Sequence, residues 1–276
     1  MKHPNPAIVA QSAVRRLPRW ALLLLCLSYV CAGFIGRDAW RSADVTALGF
    51  MGALAQGTSP WSSPSLLGWS PDNPAVLPYW LGAWALQLAP AAWAPDFVVR
   101  IPFGLLLGLA LLATWYGTYY LARNPAAQPV AFAFGGEAQP TDYARAMADG
   151  GVLAFLACLG LAQLSHETTP ALAQLGFGAL LFYGIAALRY RSWVPHLAIF
   201  AGLLGLSLSG APTMAMLYLM GGALVHWLDR DPDEAAQTAS SARLKAVCAL
   251  LAYAAVACAV AYHLDLWRWK LETPAP

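Results

Sequence analysis

Uncharged hydrophobic runs recur along almost the whole chain, and no other feature of the sequence restricts the fold as severely. A bilayer core about 30 Å thick takes about 20 apolar residues to cross as a helix, with roughly 17 as the lower end. Seven segments approach that length: residues 18–36, 99–122, 148–165, 170–188, 193–208, 212–228 and 245–264. The fifth and sixth belong to one uncharged stretch from Ser192 to Leu228, too long for a single span, and Ser209-Gly210-Ala211-Pro212 divides it with turn chemistry. Hydrophobic residues make up 59% of the chain and charged residues 11%, against about 45–50% and 25% in a soluble domain. Lipid is therefore the expected solvent, and the expected fold is all-α and polytopic, one membrane domain over residues 1–276.

A net charge of +2 gives no basis for a nucleic-acid partner. Cys26, Cys31, Cys158, Cys248 and Cys258 all fall inside apolar runs without metal-ligand spacing, so they read as small hydrophobes, and neither a disulfide, a metal nor another cofactor is expected. Arg15, Arg16 and Arg19 precede the apolar stretch Trp20–Phe34, which runs into Arg37-Asp38 with no small-x-small cleavage site; this reads as a retained signal anchor.

Residues 73–95 are uncharged but carry Pro74, Pro78, Pro90 and Pro95, which leaves only Tyr79–Ala89 free of proline, too short to span. The positive-inside rule decides how to count them. With the segment omitted and the N-terminus cytoplasmic, eleven basic residues lie inside (Lys2, Arg15, Arg16, Arg19, Arg123, Arg145, Arg189, Arg191, Arg230, Arg243, Lys245) and five outside (Arg37, Arg41, Arg100, Arg268, Lys270). Counting it as a span reverses the bias to seven inside and nine outside. The reading is thus about seven spans, with residues 37–98 a long first outer loop whose Trp80, Trp84 and Trp93 suit a helix lying at the membrane surface. The C-terminus falls outside. Residues 123–147 form a polar inner loop expected to be flexible, and Asp229–Glu234 a solvated acidic run.

Ionisable residues near the hydrocarbon boundary cost free energy and are functional candidates by default. The first outer loop concentrates them in Gly36-Arg37-Asp38-Ala39-Trp40-Arg41-Ser42-Ala43-Asp44, followed by a short apolar helix over Thr46–Leu54 whose N-terminus the Asp44 carboxylate would face. Asp44 reads either as a base or as a helix cap, and Asp38 either as a second catalytic carboxylate or as a salt-bridge partner of Arg37 or Arg41. Arg37, Arg41 and Arg100 read as phosphate ligands, through the planar guanidinium fork, or as snorkelling interfacial residues. His166 and Glu167, in Leu164-Ser165-His166-Glu167-Thr168-Thr169-Pro170, face the same side as Asp44 and either line the same cavity or form a polar turn. His196 and His226 read as packed or interfacial.

Three segments in order carry a family resemblance. "GRDAWRSADVTALGFMGAL" resembles the start of the first outer loop in the C-type glycosyltransferase superfamily, above all lipid A aminoarabinose transferases and protein O-mannosyltransferases. "SPDNPAVLPYWLGAWAL" (70–86) is similar to their proline-rich motif and surface helix, and "VVRIPFGLLLGLALL" (98–112) to the entry of their second span. The resemblance implies a membrane module of about seven spans with interfacial helices in the first outer loop, and transfer of a sugar from a polyprenyl-phosphate donor to an acceptor at the outer face. It places Asp44 at the family's catalytic aspartate, with Val45 where a glutamate usually follows, and Asn73 near a lysine that one branch uses on lipid phosphate. It further implies the bacterial inner membrane, a periplasmic C-terminus, membrane lipids as partners and continuation into a longer protein. A non-catalytic membrane subunit or a transporter is the alternative; a transporter would place charges near the bilayer midplane, whereas here they stand at the ends of spans.

Overall fold

The computed structural model describes residues 8–36, 38–39, 41–133, 135–228 and 236–267; the side chains of 226, 227, 236–243 and 245 are not among those described. Among the described residues the chain is helical: α1 (Arg19–Phe34), α2 (Ser42–Ala55), α3 (Leu77–Leu88), α4 (Pro95–Ala122), α5 (Pro140–Ala157), α6 (Leu159–Leu164), α7 (Pro170–Ala187), α8 (Val194–Leu208), α9 (Pro212–Leu228) and α10 (Ala236–His263). Three are long and apolar enough to cross a membrane: Pro95–Ala122, Pro170–Ala187 and the stretch Ala246–His263 of α10. Helices α1, α2 and α8, and α9 as far as Val225, are shorter apolar ones.

Proline sets many of the boundaries. It occupies the first turn of α3, α4, α5, α7 and α8 and opens α9, where its missing N–H has no helical acceptor to lose and its fixed φ suits the helix. Pro102, inside α4, does not end that helix, which begins at Pro95 rather than near 99. The 123–147 region differs from the flexible loop expected of it. Helix α5 starts within it at Pro140, and the N-terminal segment pairs with its edge through Gln11 N–H to the Gly136 carbonyl (2.8 Å) and Ala138 N–H to the Val9 carbonyl (3.0 Å). Arg16 and Gln11 reach Asp142 at 2.6 and 2.9 Å, so a partner 126 residues away supplies the order that local composition does not.

Packing along the bundle rests on small residues at helix contacts, as is usual where lipid removes the water-driven term between helices. Helices α4 and α7 meet where a Cβ on Gly176 would lie 3.2 Å from the Leu106 carbonyl oxygen, and α7 and α8 where a Cβ on Gly202 would lie 2.9–3.0 Å from Leu181, backbone included. One core joins Met51 and Leu54 of α2 to Phe103 and Leu107 of α4 and Leu172 of α7; a second joins Leu181, Ile199, Leu203 and Leu250. Gly202→Ala is expected to destabilise the chain by about 1–3 kcal/mol, as overpacking does. Gly52→Ala, where nothing lies within 4 Å, should gain roughly 0.5–1 kcal/mol from reduced backbone entropy in the unfolded state. Thermal unfolding in detergent measures both.

Helices α2 and α3 sit at one end of the bundle, here termed the near end, where α1 and α8 finish and α4, α7 and α9 begin. Val76 N–H donates to the Leu208 carbonyl at the end of α8 (2.9 Å), and Val76 packs with Ala261 and Leu266 at the end of α10. Tyr79 of α3 packs on Phe50 of α2 with ring centroids 5.2 Å apart. Burial, with the Asp72 charge adding to it, pushes the Tyr79 hydroxyl up to about 12, so it stays protonated. The aromatic face of α3 is tied down by Trp80 Nε1–H donating to the Trp61 carbonyl at 2.7 Å.

Candidate functional site

The near end holds a cluster of charged side chains, most of them buried, drawn from three parts of the chain: the start of α2, α4 and the link between α6 and α7. Asp44 stands in the first turn of α2 and is 4% exposed. It does not cap its own helix, which has no side-chain cap. Its Oδ1 instead accepts from the Thr168 N–H at 2.8 Å and from the Thr168 hydroxyl, just before Pro170 opens α7. The carboxylate thus meets the positive ends of two helices, α2 and α7, each of which favours a negative charge. Its Oδ2 faces Arg100 Nη2 at 3.7 Å; Arg100, one turn into α4, is also 4% exposed and donates through Nη1 to the Phe34 carbonyl at the end of α1 (3.4 Å).

Arg41 and Glu167 form a second pair beside this one, Nη1 to Oε1 at 2.6 Å, with the arginine side chain 39% exposed and the glutamate 4%. The side-chain amide of Gln163 of α6 also lies beside the Arg41 guanidinium, which as a pure donor assigns the amide oxygen to that side. Two guanidiniums face two carboxylates, which balances the charge of the buried group.

The link Ser165–Thr169 is buried at every residue. A buried loop needs partners for its polar groups, and Asp44, Arg41 and α1 supply most of them, although the Thr169 hydroxyl has none among the described residues. His166 is held by its surroundings: Nε2 lies 2.9 Å from the Tyr29 carbonyl and Nδ1 2.6 Å from the Ala162 carbonyl, and the ring fills the space beside Gly33, where a Cβ would come within 1.8 Å of it. With both ring nitrogens engaged, His166 docks the link onto α1 rather than presenting a free acid or base. Ser165 extends that contact to the Tyr29 hydroxyl at 3.2 Å.

Of the residues singled out from sequence, the structure therefore brings together Asp44, Arg41, Arg100, His166 and Glu167. Asp38 is exposed and, among the described residues, outside this cluster. Arg41, one of its expected partners, pairs with Glu167 instead; Arg37, the other, lies outside the described residues. Asn73 packs at the α8–α9 turn, its Oδ1 within 2.6 Å of where a Cβ on Gly210 would be, and that buried oxygen has no hydrogen-bond partner among the described residues. His196 sits with its ring 6.1 Å from that of Tyr253.

Sequence reasoning missed Thr168 as the partner of Asp44, and it missed the far end altogether. There, in α5, Asp142 binds Arg16, and Asp149, 8% exposed, accepts from the indole N–H of Trp115 at 2.8 Å and from the Leu17 N–H at 3.3 Å. The available signal was the spacing Asp142, Arg145, Asp149, which puts all three on one helix face. Compared with known proteins, the chain matches no family model, no curated protein and no solved structure.

Proposed function

We propose that this chain is a seven-span membrane module that transfers a sugar from a polyprenyl-phosphate donor to an acceptor hydroxyl at the outer face of the membrane. In this reading α1, α4, α5 with α6, α7, α8, α9 and α10 are the spans, α2 and α3 are interfacial, the N-terminus is cytoplasmic and the near end is periplasmic. One observation carries it: the Asp44 carboxylate and the Arg100 guanidinium are buried together at 3.7 Å beneath two short surface helices. Such a pair is expensive to desolvate and replaceable by apolar side chains, so its presence at a membrane boundary favours a chemical use.

Asp44 serves as base. The acceptor oxygen attacks the anomeric carbon, the bond from that carbon to the phosphate oxygen breaks, polyprenyl phosphate leaves, and the acceptor proton passes to the carboxylate. Arg41, the more exposed of the two arginines, meets the donor phosphate by exchanging Glu167 for phosphate oxygens. Arg100 sets the orientation of Asp44. Asp38 stands on the approach to the site and Asn73 on its α8–α9 side, while Arg37 is kept as a phosphate ligand from the sequence alone.

A second reading rests on a specific observation. Both oxygens of Asp44 are already engaged, as they would be in a structural clasp within a non-catalytic membrane subunit. Proteoliposomes carrying the chain separate the two. Labelled sugar should pass from a polyprenyl-phosphate donor, and not from a nucleotide sugar, to material in the lipid or protein fraction. No donor-dependent transfer by the wild-type chain would leave the clasp.

A further inference from the structure

Helix α1 rests on α4 only toward its C-terminal end. A Cβ on Gly104 would lie 3.7–3.8 Å from Phe34 and Val30, whereas one turn further along α4 the space beside Gly108 is open to beyond 4 Å. The two helices diverge toward the far end, and a cavity of ≈ 720 Å³ opens between α1, α4 and α5. That volume lies within the range of about 300–1,000 Å³ typical of small-molecule sites. The opening is built: Asp149 of α5 ties to Trp115 of α4 and to the Leu17 backbone ahead of α1, which fixes α5 in place.

The walls are apolar, from Leu22, Leu27, Leu105 and Leu112 among others, while Arg19 and Arg145 stand with Asp149 at the far-end mouth. Both oxygens of Asp149 are occupied by N–H donors. Arg145 and Arg19 make no ion pair among the described residues, and they are the cations that an incoming ligand meets. From Leu17 to Val30 the groove runs about 20 Å at the helical rise of 1.5 Å per residue, a little more than one leaflet of a bilayer core about 30 Å thick. Cationic mouth, apolar walls and leaflet length together define one kind of occupant.

We propose that this groove binds an anionic phospholipid, with its phosphate between Arg19 and Arg145 and one acyl chain lying over Gly104 and Gly108. The site is separate from the near-end cluster, and the proposal stands whether or not that cluster transfers sugar.

The test uses the full chain purified in detergent, with dioleoyl phosphatidylglycerol and dioleoyl phosphatidylcholine as probes, read by native mass spectrometry and by thermal midpoint. The wild type should retain phosphatidylglycerol preferentially and melt higher with it. Arg19→Gln and Arg145→Gln should each reduce that preference roughly fivefold, the scale of one basic side chain at an anionic lipid surface. Gly108→Leu, which fills the groove and raises helix propensity, should stay folded and lose retention of both lipids. Equal retention of the two lipids by the wild type would overturn the proposal. So would undiminished phosphatidylglycerol binding in Gly108→Leu, or in the two arginine variants if the leucine variant fails to fold. Displacement of phosphatidylglycerol by equimolar polyprenyl phosphate would also overturn it, assigning the groove to the carrier lipid.

Discussion

Arg100→Met should lower the stability of the chain by about 3–5 kcal/mol, the loss expected when one partner of a buried ion pair is removed and the other charge remains. The side chains of Arg100 and Asp44 are 4% and 6% exposed, so water cannot take over the solvation of the carboxylate. The Thr168 donors alone are left to hold a full negative charge. The Phe34 carbonyl, which accepts from Arg100, also loses its side-chain donor. Adding Asp44→Asn in the Arg100→Met background should recover most of the loss: the neutral amide still accepts from Thr168 N–H, and no charge remains to be paired. Thermal unfolding of the two variants in detergent checks this. Equal destabilisation in both would mean that packing of the arginine stem, and not the charge, is what matters.

This cluster explains which parts of the architecture were legible in the sequence. The helices follow from uncharged runs interrupted by proline and polar residues. Thr46–Leu54 was read as a short helix and lies within α2 (Ser42–Ala55); the proline-free core Tyr79–Ala89 nearly coincides with α3 (Leu77–Leu88). These features are local, set by helix periodicity and by the φ that proline fixes. The stretch expected as the third span, residues 148–165, is harder to read: its helix begins eight residues early, at Pro140, is broken by an extended residue at Cys158, and is not among the three long and apolar enough to cross a membrane. Its first two turns carry Asp142 and Arg145, charges that argue against a span unless their partners are known.

Those partners are what single-chain reading cannot supply. Thr168 lies 124 residues from Asp44, and Arg16 lies 126 from Asp142. The polar stretch Leu164–Pro170 has the composition of an exposed turn, but Asp44 of α2, Arg41 and Tyr29 of α1 pack against it, so a segment that looks solvated is buried at Ser165–Thr169. For the same reason the reading of Arg100 left out its carboxylate partner Asp44, and the carboxylate weighed for Arg41 was Asp38 rather than Glu167. Asp38, ranked behind Asp44 as a base, and Asn73, singled out only by the family resemblance, both stand apart from the cluster, Asp38 exposed and Asn73 packed at the α8–α9 turn.

The proposed sugar transfer at the near end turns on the Asp44 charge. Asp44→Asn removes that charge while keeping the size of the side chain and an acceptor for Thr168. It leaves the buried Arg100 without its counter-charge and lowers stability by about 3–5 kcal/mol. In the protein that stays folded, a residue needed only as a clasp leaves the transfer rate unchanged. A residue that takes a proton does not, and loss of a general base lowers the rate by about 10²–10⁴. The decisive measurement is the initial rate of donor-dependent sugar transfer by wild-type and Asp44→Asn proteoliposomes at matched, folded protein. A rate per folded protein reduced by at least about a hundredfold, alongside the lower thermal midpoint that an unpaired Arg100 brings, is the expected result. Transfer at the wild-type rate in the asparagine variant would contradict the assignment of Asp44 as base and leave the buried pair as a structural clasp.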